Sequence, residues 1–200
     1  MAIEMPHVAA HPNRAPFRGV LTLVDIASDR SPSGANGHRV LLTRAACDAA
    51  LPSLLGMGLD YAPALDAHDA QRKIGIITEA NIVDGKSNRG FSRISADTPN
   101  NDPRESALIR GSSLLSRIEI SGFLYARDFP RIVRTLRAQK FAAGGGRVTH
   151  TYGMSYEITD ARVDDMRAPI WIVSEFTFTG AAVLRRDKAA YRNTWFELID

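Results

Sequence analysis

The sequence predicts an α+β fold: a mainly antiparallel β-barrel or sheet that is flanked by helices. Runs of β-branched, aromatic and apolar residues dominate the chain, and they read as strands over 17–26, 74–83, 117–125, 147–158 and 170–184. Few helical patterns lie between these runs, which argues against the alternating strands and helices of a parallel βαβ sheet. The 200 residues, 44% of them hydrophobic, suffice for one domain with a full core.

Two segments carry helical patterns, and each follows a residue that favours a helix N-terminus. Thr43 precedes an apolar helical face, and Pro52 is expected to kink or divide that helix. Asp128 is expected to cap a second helix over 128–142, with Pro130 in its first turn. These two helices are the elements predicted to flank the sheet.

Composition sets the organisation of the chain and the class of protein. Residues 1–16 have little pattern and predict a mobile arm ahead of a single domain over 17–200. Cys47 is the one cysteine, which excludes an internal disulfide and favours a reducing compartment. The net charge of +3 is too small to imply nucleic-acid binding by itself. Neither a membrane-spanning apolar run nor a signal peptide is expected.

Strand 147–158 carries the first candidate for chemistry. Side chains alternate between the two faces of a strand, so the even-numbered residues here form a large, apolar core face. The odd-numbered ones, among them Gly153, Ser155 and Glu157, form a small, polar face. Ser155 is expected to have open space beside Gly153, as a nucleophilic hydroxyl needs if a base lies within reach. The same pattern also describes an ordinary exposed serine on an edge strand.

Two histidines lie in ordered segments. His68 comes just before strand 74–83 and is the candidate general base, because histidine titrates near neutral pH. A plain surface-loop histidine is the alternative. His150 lies on the core face of its strand, which predicts a packed histidine. The spacing of Asp66, His68 and His150 matches no metal-ligand signature, so no metal or cofactor is predicted.

Glu175 is a charged residue within the otherwise apolar strand 170–184. Regular alternation puts Ile172, Phe176 and Phe178 on one apolar face and Glu175 on the other, more mixed one. A carboxylate there is costly unless it is paired, and a histidine would be a suitable partner. The alternative to a buried, paired carboxylate is that Glu175 occupies a solvent-exposed position of the strand.

The helix over 128–142 has a basic side, formed by Arg131, Arg134, Arg137 and Lys140. A solvated helix face is the ordinary explanation of such a row. A surface for nucleic acid or for an acidic partner is the alternative.

The order of three motifs resembles the capsid maturation (prohead) serine proteases of tailed bacteriophages, which are distant relatives of herpesvirus assemblin. The first motif is His68-Asp69 leading into Ile74-Gly75, the second is the GMSYEI strand over 153–158, and the third is EFTFTGAAVLRRDKAAY over 175–191. The similarity covers about residues 17–194.

The resemblance implies a small, mostly antiparallel β-barrel or sheet surrounded by helices, and a catalytic pair of His68 and Ser155. The third catalytic residue varies in this family between histidine, aspartate and glutamate. Glu175 is the first expectation here, and Glu157 and His150 are the alternatives. No cofactor is implied.

The oxyanion donor stays open at this point. A backbone N–H or an arginine such as Arg185 or Arg186 would serve. Members of the family often carry a C-terminal scaffolding segment, and none is visible before Asp200. The chain would then be a trimmed domain, a self-processed product or a protein whose scaffold is encoded separately; a catalytically inactive relative that is retained for structure is a further alternative.

The implied function is a serine endopeptidase that acts inside the immature capsid, the prohead, in the host cytoplasm. Its expected substrates are the scaffold protein, the N-terminal part of the major capsid protein and the protease itself, and a homo-oligomer is possible. Two alternatives belong to other classes of protein. One is a non-enzymatic capsid assembly or scaffold-interaction module on the same fold, and the other is a nucleic-acid-binding domain that uses helix 128–142.

Overall fold

The computed structural model describes residues 1–6, 8, 10–85, 115–138 and 150–199. Within these ranges there are eight strands: β1 (Arg14–Leu23), β2 (Arg39–Leu42), β3 (Gly58–Asp60), β4 (Lys73–Val83), β5 (Arg117–Tyr125), β6 (Tyr152–Val163), β7 (Ile170–Arg185) and β8 (Trp195–Leu198). The helices in the same ranges are α1 (Arg44–Ala50), a 3₁₀ helix (Leu51–Leu54) and α2 (Pro130–Ala138).

All eight strands belong to one curled, half-barrel sheet in the order β2-β7-β3-β4-β5-β1-β8, and β6 pairs with β7 outside this path. Most neighbours are antiparallel, but β2 and β3 both run parallel to β7. The long strand β7 thus joins β6 along one edge to β2 and β3 along the other. The predicted α+β class is confirmed, and in the part of the chain that the structure describes the sheet is mainly antiparallel and dominates over the short helices.

The segment around α1 folds as its sequence predicts. The hydroxyl oxygen of Thr43 accepts the N–H of Ala46 at 3.3 Å and caps the helix. Pro52 lies in the first turn of the 3₁₀ helix that follows, so it divides the helical segment as expected. Helix α2 begins at Pro130 rather than at Asp128, and the predicted residues 139–142 lie outside the described part.

The basic side of α2 is exposed at Arg131 and Arg134, whereas Ile132, Val133 and Leu136 are buried. This is the predicted division of the helix into two faces. Whether an anionic partner binds the basic side stays a prediction.

The N-terminal part of the chain differs from the expectation. β1 begins at Arg14, and before it Ala2 forms an antiparallel bridge with Glu79 of β4. The N–H of Ile3 also donates to the carbonyl oxygen of Thr78 at 2.7 Å. Residues 1–3 therefore lie along β4 and residues 14–16 belong to β1, whereas the mobility expected for the arm over 1–16 stays a prediction.

Three strands escaped prediction because they are short: β2, β3 and β8 have four, three and four residues. Strand 147–158 was expected to start earlier than β6 does, and residues 147–149 lie outside the described part. So does the polar loop predicted over 97–106.

Strand β7 does not alternate regularly. Trp171 and Val173 are buried, and then the buried side passes to Phe176 and Phe178, so Ile172 is 41% exposed. The pairing of β6 with β7 is irregular in this stretch, and an extra residue in one strand reverses which side chains face the core. Ile172 therefore does not share the buried face with Phe176 and Phe178, and the prediction that it does is wrong.

No helix within the described ranges combines the length and the apolar character that crossing a bilayer requires.

Gly122 marks a close approach between β5 and β4. A Cβ atom at this position would lie 2.0 Å from the carbonyl oxygen of Ile76, and backbone cannot yield as a flexible side chain does. We expect Gly122→Ala to lower the free energy of unfolding by about 1–3 kcal/mol or more, measured by urea denaturation. Ser121→Ala, at the half-buried neighbouring position, is the control; it removes the hydrogen bond from the Ser121 hydroxyl to Glu79 and should cost about 1 kcal/mol or less. Equal stability of the Gly122 variant and wild type would contradict this packing.

Candidate active site

A row of three side chains crosses the sheet where β3, β7 and β6 meet. Asp60 of β3 lies opposite Ala182 of β7, and Ser155 of β6 lies opposite the same Ala182. Residues directly opposite each other share a face of the sheet. Since neighbouring strands are about 4.8 Å apart, the backbones at Asp60 and Ser155 are about 10 Å apart, with the small alanine between them.

This row lies on what we call the outer face, the side of β3, β7 and β6 that faces away from the core residues Leu59, Ala181 and Tyr156. A register shift creates it. Glu157 pairs with Gly180, but the next residue of β6, Ile158, pairs with Phe178, so one residue of β7 is left over. The bulge moves Ala181 into the core beyond Phe178 and thereby turns Ala182 to the outer face.

His68 lies on this outer face. Its Nδ1 is 3.4 Å from Oδ1 of Asp60 and 3.9 Å from Oε1 of Glu157, and its side chain is 16% exposed. Glu157 follows Ser155 by two residues on β6, so their side chains share a face, and its carboxylate lies over Gly180. His68, in the loop after β3, therefore contacts Asp60 and Glu157 on the face of the sheet that also bears Ser155.

Neither ring nitrogen of His68 completes a hydrogen bond with the residues that the structure describes, and both are inaccessible to solvent. The 3.4 Å contact to Asp60 is long for a hydrogen bond and is better described as an ion-pair contact. Nδ1 thus faces the carboxylates of Asp60 and Glu157, whereas Nε2 has no hydrogen-bond partner among the described residues. Ser155 and His68 are not hydrogen-bonded in this state.

The loop that carries His68, residues 61–72, is fixed at several points. The N–H of Asp69 donates to Oδ1 of Asp60 at 3.2 Å, and the Asp69 carboxylate accepts the N–H of Gln71 and the Nε–H of Arg72. Leu65 is buried, and its carbonyl oxygen accepts the N–H of Arg185 at 2.7 Å. The position of His68 therefore depends on contacts to β3 and β7.

Asp60 is wholly buried, with 0% of its surface exposed. Lys73 lies directly opposite it on β4, and the Lys73 Nζ donates to Oδ2 at 3.0 Å. Burial by itself would raise the pKa of Asp60, but the close contact with His68 and the hydrogen bond and positive charge of Lys73 outweigh it and lower the pKa below the ordinary value. Asp60 is therefore an ionised acid beside a histidine ring.

Glu175, the expected third residue, is elsewhere. Its side chain is 68% exposed and pairs with Nη1 of Arg162 at 3.3 Å. Glu175 precedes Ala182 by seven positions on β7, which is roughly 20 Å along a strand. The prediction that Glu175 orients His68 is thus contradicted, because a surface arginine already satisfies this carboxylate. Asp60 lies beside His68, in the position that was expected for Glu175.

The two alternatives for the third residue have different outcomes. Glu157 does reach His68, but it is 49% exposed and farther from Nδ1 than Asp60 is. His150 stacks on Trp195 with ring centroids 4.8 Å apart, and its Nδ1 is 3.9 Å from Glu197. Burial lowers the pKa of His150. It is a packed histidine, as the sequence indicated, in contact with β8.

The open space expected beside Gly153 is absent. A Cβ there would lie 2.8 Å from the hydroxyl of Thr194 and 3.3 Å from the Cα of Arg186, because the segment after β7 packs onto it. The backbone N–H groups of the two arginines considered as oxyanion donors are already used. Those of Arg185 and Arg186 donate to the carbonyl oxygens of Leu65 and Thr151, so neither backbone donor is available to a substrate. The Arg186 Nε donates to the carbonyl oxygen of Arg192 at 2.7 Å, and burial lowers the pKa of Arg186.

Asp60 is the site residue that sequence reasoning missed. Strand β3 has only three residues, too few for a periodic pattern, so the segment did not read as a strand. The available signal was an acidic residue that follows an apolar one, Leu59, eight positions before the candidate base His68.

Within the described part of the chain, no group of three or more histidine, cysteine, aspartate or glutamate side chains is arranged to hold a metal ion. Comparison with protein-family models, with curated proteins and with solved structures gave no match.

The lowered pKa of Asp60 predicts how stability depends on pH. A group whose pKa is depressed in the folded state stabilises the fold above its unfolded pKa of about 3.9, and this contribution is lost as pH falls through the folded value. We expect Asp60→Asn to destabilise the protein clearly at pH 6 and progressively less, relative to wild type, between pH 4 and pH 2. Urea unfolding across this range measures the difference.

Glu175→Gln is the control, since its ion pair is exposed and should contribute less than about 1 kcal/mol at any pH. A difference between wild type and Asp60→Asn that stays constant from pH 6 to pH 2 would contradict the ionised state of Asp60.

Proposed function

We propose that the chain is a serine endopeptidase in which Ser155 is the nucleophile, His68 the general base and Asp60 the acid that orients it. One observation carries this proposal: the buried, ionised Asp60 lies beside Nδ1 of His68, Nε2 makes no hydrogen bond with the described residues, and Ser155 lies on the same face of the sheet. A hydroxyl nucleophile requires such an arrangement, in which the base is itself oriented by a third group.

The chemistry follows from the two ring nitrogens. Nδ1 carries its proton towards Asp60, which leaves the lone pair of Nε2 to take the proton of the Ser155 hydroxyl as the oxygen attacks the scissile carbonyl. The imidazolium that forms is stabilised by the Asp60 carboxylate. Nε2 then gives the proton to the leaving amine, and a water molecule activated in the same way releases the acyl group from Ser155.

The side chains of Ser155 and His68 share a face but are not hydrogen-bonded without substrate. Catalytic hydrogen bonds in substrate-free sites are often long and tighten when substrate binds. Proton transfer needs Oγ within roughly 3 Å of Nε2, so the proposal requires a change of side-chain rotamer at Ser155 or a movement of loop 61–72 when substrate binds.

The motif order given above supports a more specific role, that of a prohead protease with an assemblin-like fold. The proposed substrates are the scaffold protein, the major capsid protein and the chain itself, inside the immature capsid in the host cytoplasm. Confinement there raises the local concentration of protease and substrate, so a modest catalyst suffices. No cofactor is required by this chemistry.

An activated serine is detected without knowledge of the substrate. A fluorophosphonate probe should label the wild-type chain once, at Ser155, as intact mass and peptide mapping would show. Ser155→Ala and His68→Ala should remove the labelling, because one lacks the nucleophile and the other the base. Ser121→Ala, which removes another strand serine, is the matched control and should label normally.

The same variants separate the protease from a capsid module without enzymatic activity. When the chain is produced together with scaffold and capsid protein, Ser155→Ala should leave both full-length while particles still assemble. Processing that continues in Ser155→Ala, or a wild-type chain that the probe never labels, would contradict the proposal.

The role of Asp60 is distinguished from that of Glu157 by a pair of amide substitutions. We expect Asp60→Asn to slow labelling by about 10³–10⁴-fold, since an amide no longer fixes the histidine tautomer. Glu157→Gln should slow it by less than about tenfold, because this carboxylate is half exposed and farther from His68. The reverse ranking would assign the orienting role to Glu157.

A further inference from the structure

Lys73 is the second partner of Asp60, and the fold is arranged around this contact. The two residues lie opposite each other on β3 and β4, and the ammonium of Lys73 is 3.0 Å from Oδ2. The lysine side chain lies across Gly58, where a Cβ would come within 2.9 Å of its Cδ. A glycine at this position therefore gives the Lys73 side chain its path to Asp60.

Asp60 has two oxygens with separate functions. Oδ1 accepts the N–H of Asp69 and faces His68, whereas Oδ2 is bound by Lys73. The carboxylate is thus held in a fixed orientation from the side opposite to the histidine. Truncation of Lys73 would leave a buried negative charge with His68 as its remaining cationic partner among the described residues.

The charges around the pair are mixed. Glu157 of β6 approaches His68, and β7 contributes no charge at the positions beneath it, Gly180 and Ala182. The loop itself carries Asp66 and Asp69, of which Asp69 pairs with Arg72, and Arg185 at the end of β7 pairs with Asp187.

The nearby carboxylates favour a proton on the Asp60–His68 pair. The ammonium of Lys73 opposes this effect, because a positive charge close to a titrating pair makes protonation less favourable. Protons bind to the pair as a unit, whichever of the two residues carries them.

We propose that Lys73 is a positioning residue that fixes the Asp60 carboxylate against His68 and whose positive charge opposes protonation of the Asp60–His68 pair. The consequence of this inference for catalysis rests on the proposed function, in which His68 is the base. The coupling between Lys73 and the pair does not, since it follows from the contacts alone.

The first measurement is the titration of the His68 ring by NMR, with the signal assigned from the spectrum of a His68→Gln variant. Lys73→Met keeps the length of the side chain and removes its charge. We expect the pH midpoint of the ring to rise by roughly one unit, an electrostatic shift reduced by the partial exposure of the ammonium. Lys73→Arg should keep the midpoint near that of wild type.

The second measurement is the pH dependence of fluorophosphonate labelling, whose acid limb should move upward by the same amount in Lys73→Met. A merely structural role would slow labelling at all pH values without moving this limb. Arg162→Met is the matched control, because it removes one positive charge from the surface far from the pair, and it should leave the limb in place.

Gly58→Ala provides an independent variant should Lys73→Met fail to fold. Its added methyl group displaces the lysine side chain and should move the ring midpoint in the same direction by a smaller amount. An unchanged midpoint in whichever of these two variants folds overturns the inference. A wild-type chain that never labels would count against the proposed protease, whereas the NMR titration would still decide the role of Lys73.

Discussion

The buried carboxylate of Asp60 is the interaction on which the candidate site depends. A charge without access to water costs several kcal/mol unless it is paired and hydrogen-bonded. Asp60 is stabilised by the Lys73 ammonium, by the N–H of Asp69 and by its contact with His68. These contacts tie together β3, β4 and the loop between them. The same charge that would destabilise an unpartnered core therefore fixes the position of the histidine.

The sheet supplies the other half of the site. A bulge in the pairing of β6 with β7 turns Ala182 away from the core, and this small residue separates Asp60 from Ser155. Without the bulge, the side chain at position 182 would face the core. The irregularity that positions the site is also what makes the alternation of β7 unreliable as a guide to its faces.

Much of the fold was predictable from the sequence because its long elements have strong periodic patterns. The strand over 117–125 has the predicted bounds, and Thr43 caps α1 as expected. The two faces of β6 over 152–157 also followed from alternation, whereas the roles of Ser155 and His68 stay predictions. Each of these signals depends on a few neighbouring residues, which is the range over which sequence patterns are informative.

The third residue was not predictable in the same way. Asp60 lies in a strand of three residues, and its role depends on Lys73 and on a parallel pairing with a strand more than a hundred residues later. Glu175 was expected instead because a carboxylate in an apolar strand suggests a buried partner. Its partner is Arg162 across the neighbouring strand, an exposed pair that regular alternation gives no means to foresee.

The most direct test of the account is a crystal structure of the chain after reaction with a peptide phosphonate. It predicts a covalent bond from the phosphorus to Oγ of Ser155, with Nε2 of His68 within about 3 Å of that oxygen and Nδ1 directed at Asp60. A phosphonate attached to another residue, or a His68 ring turned away from Ser155 in the adduct, would contradict it.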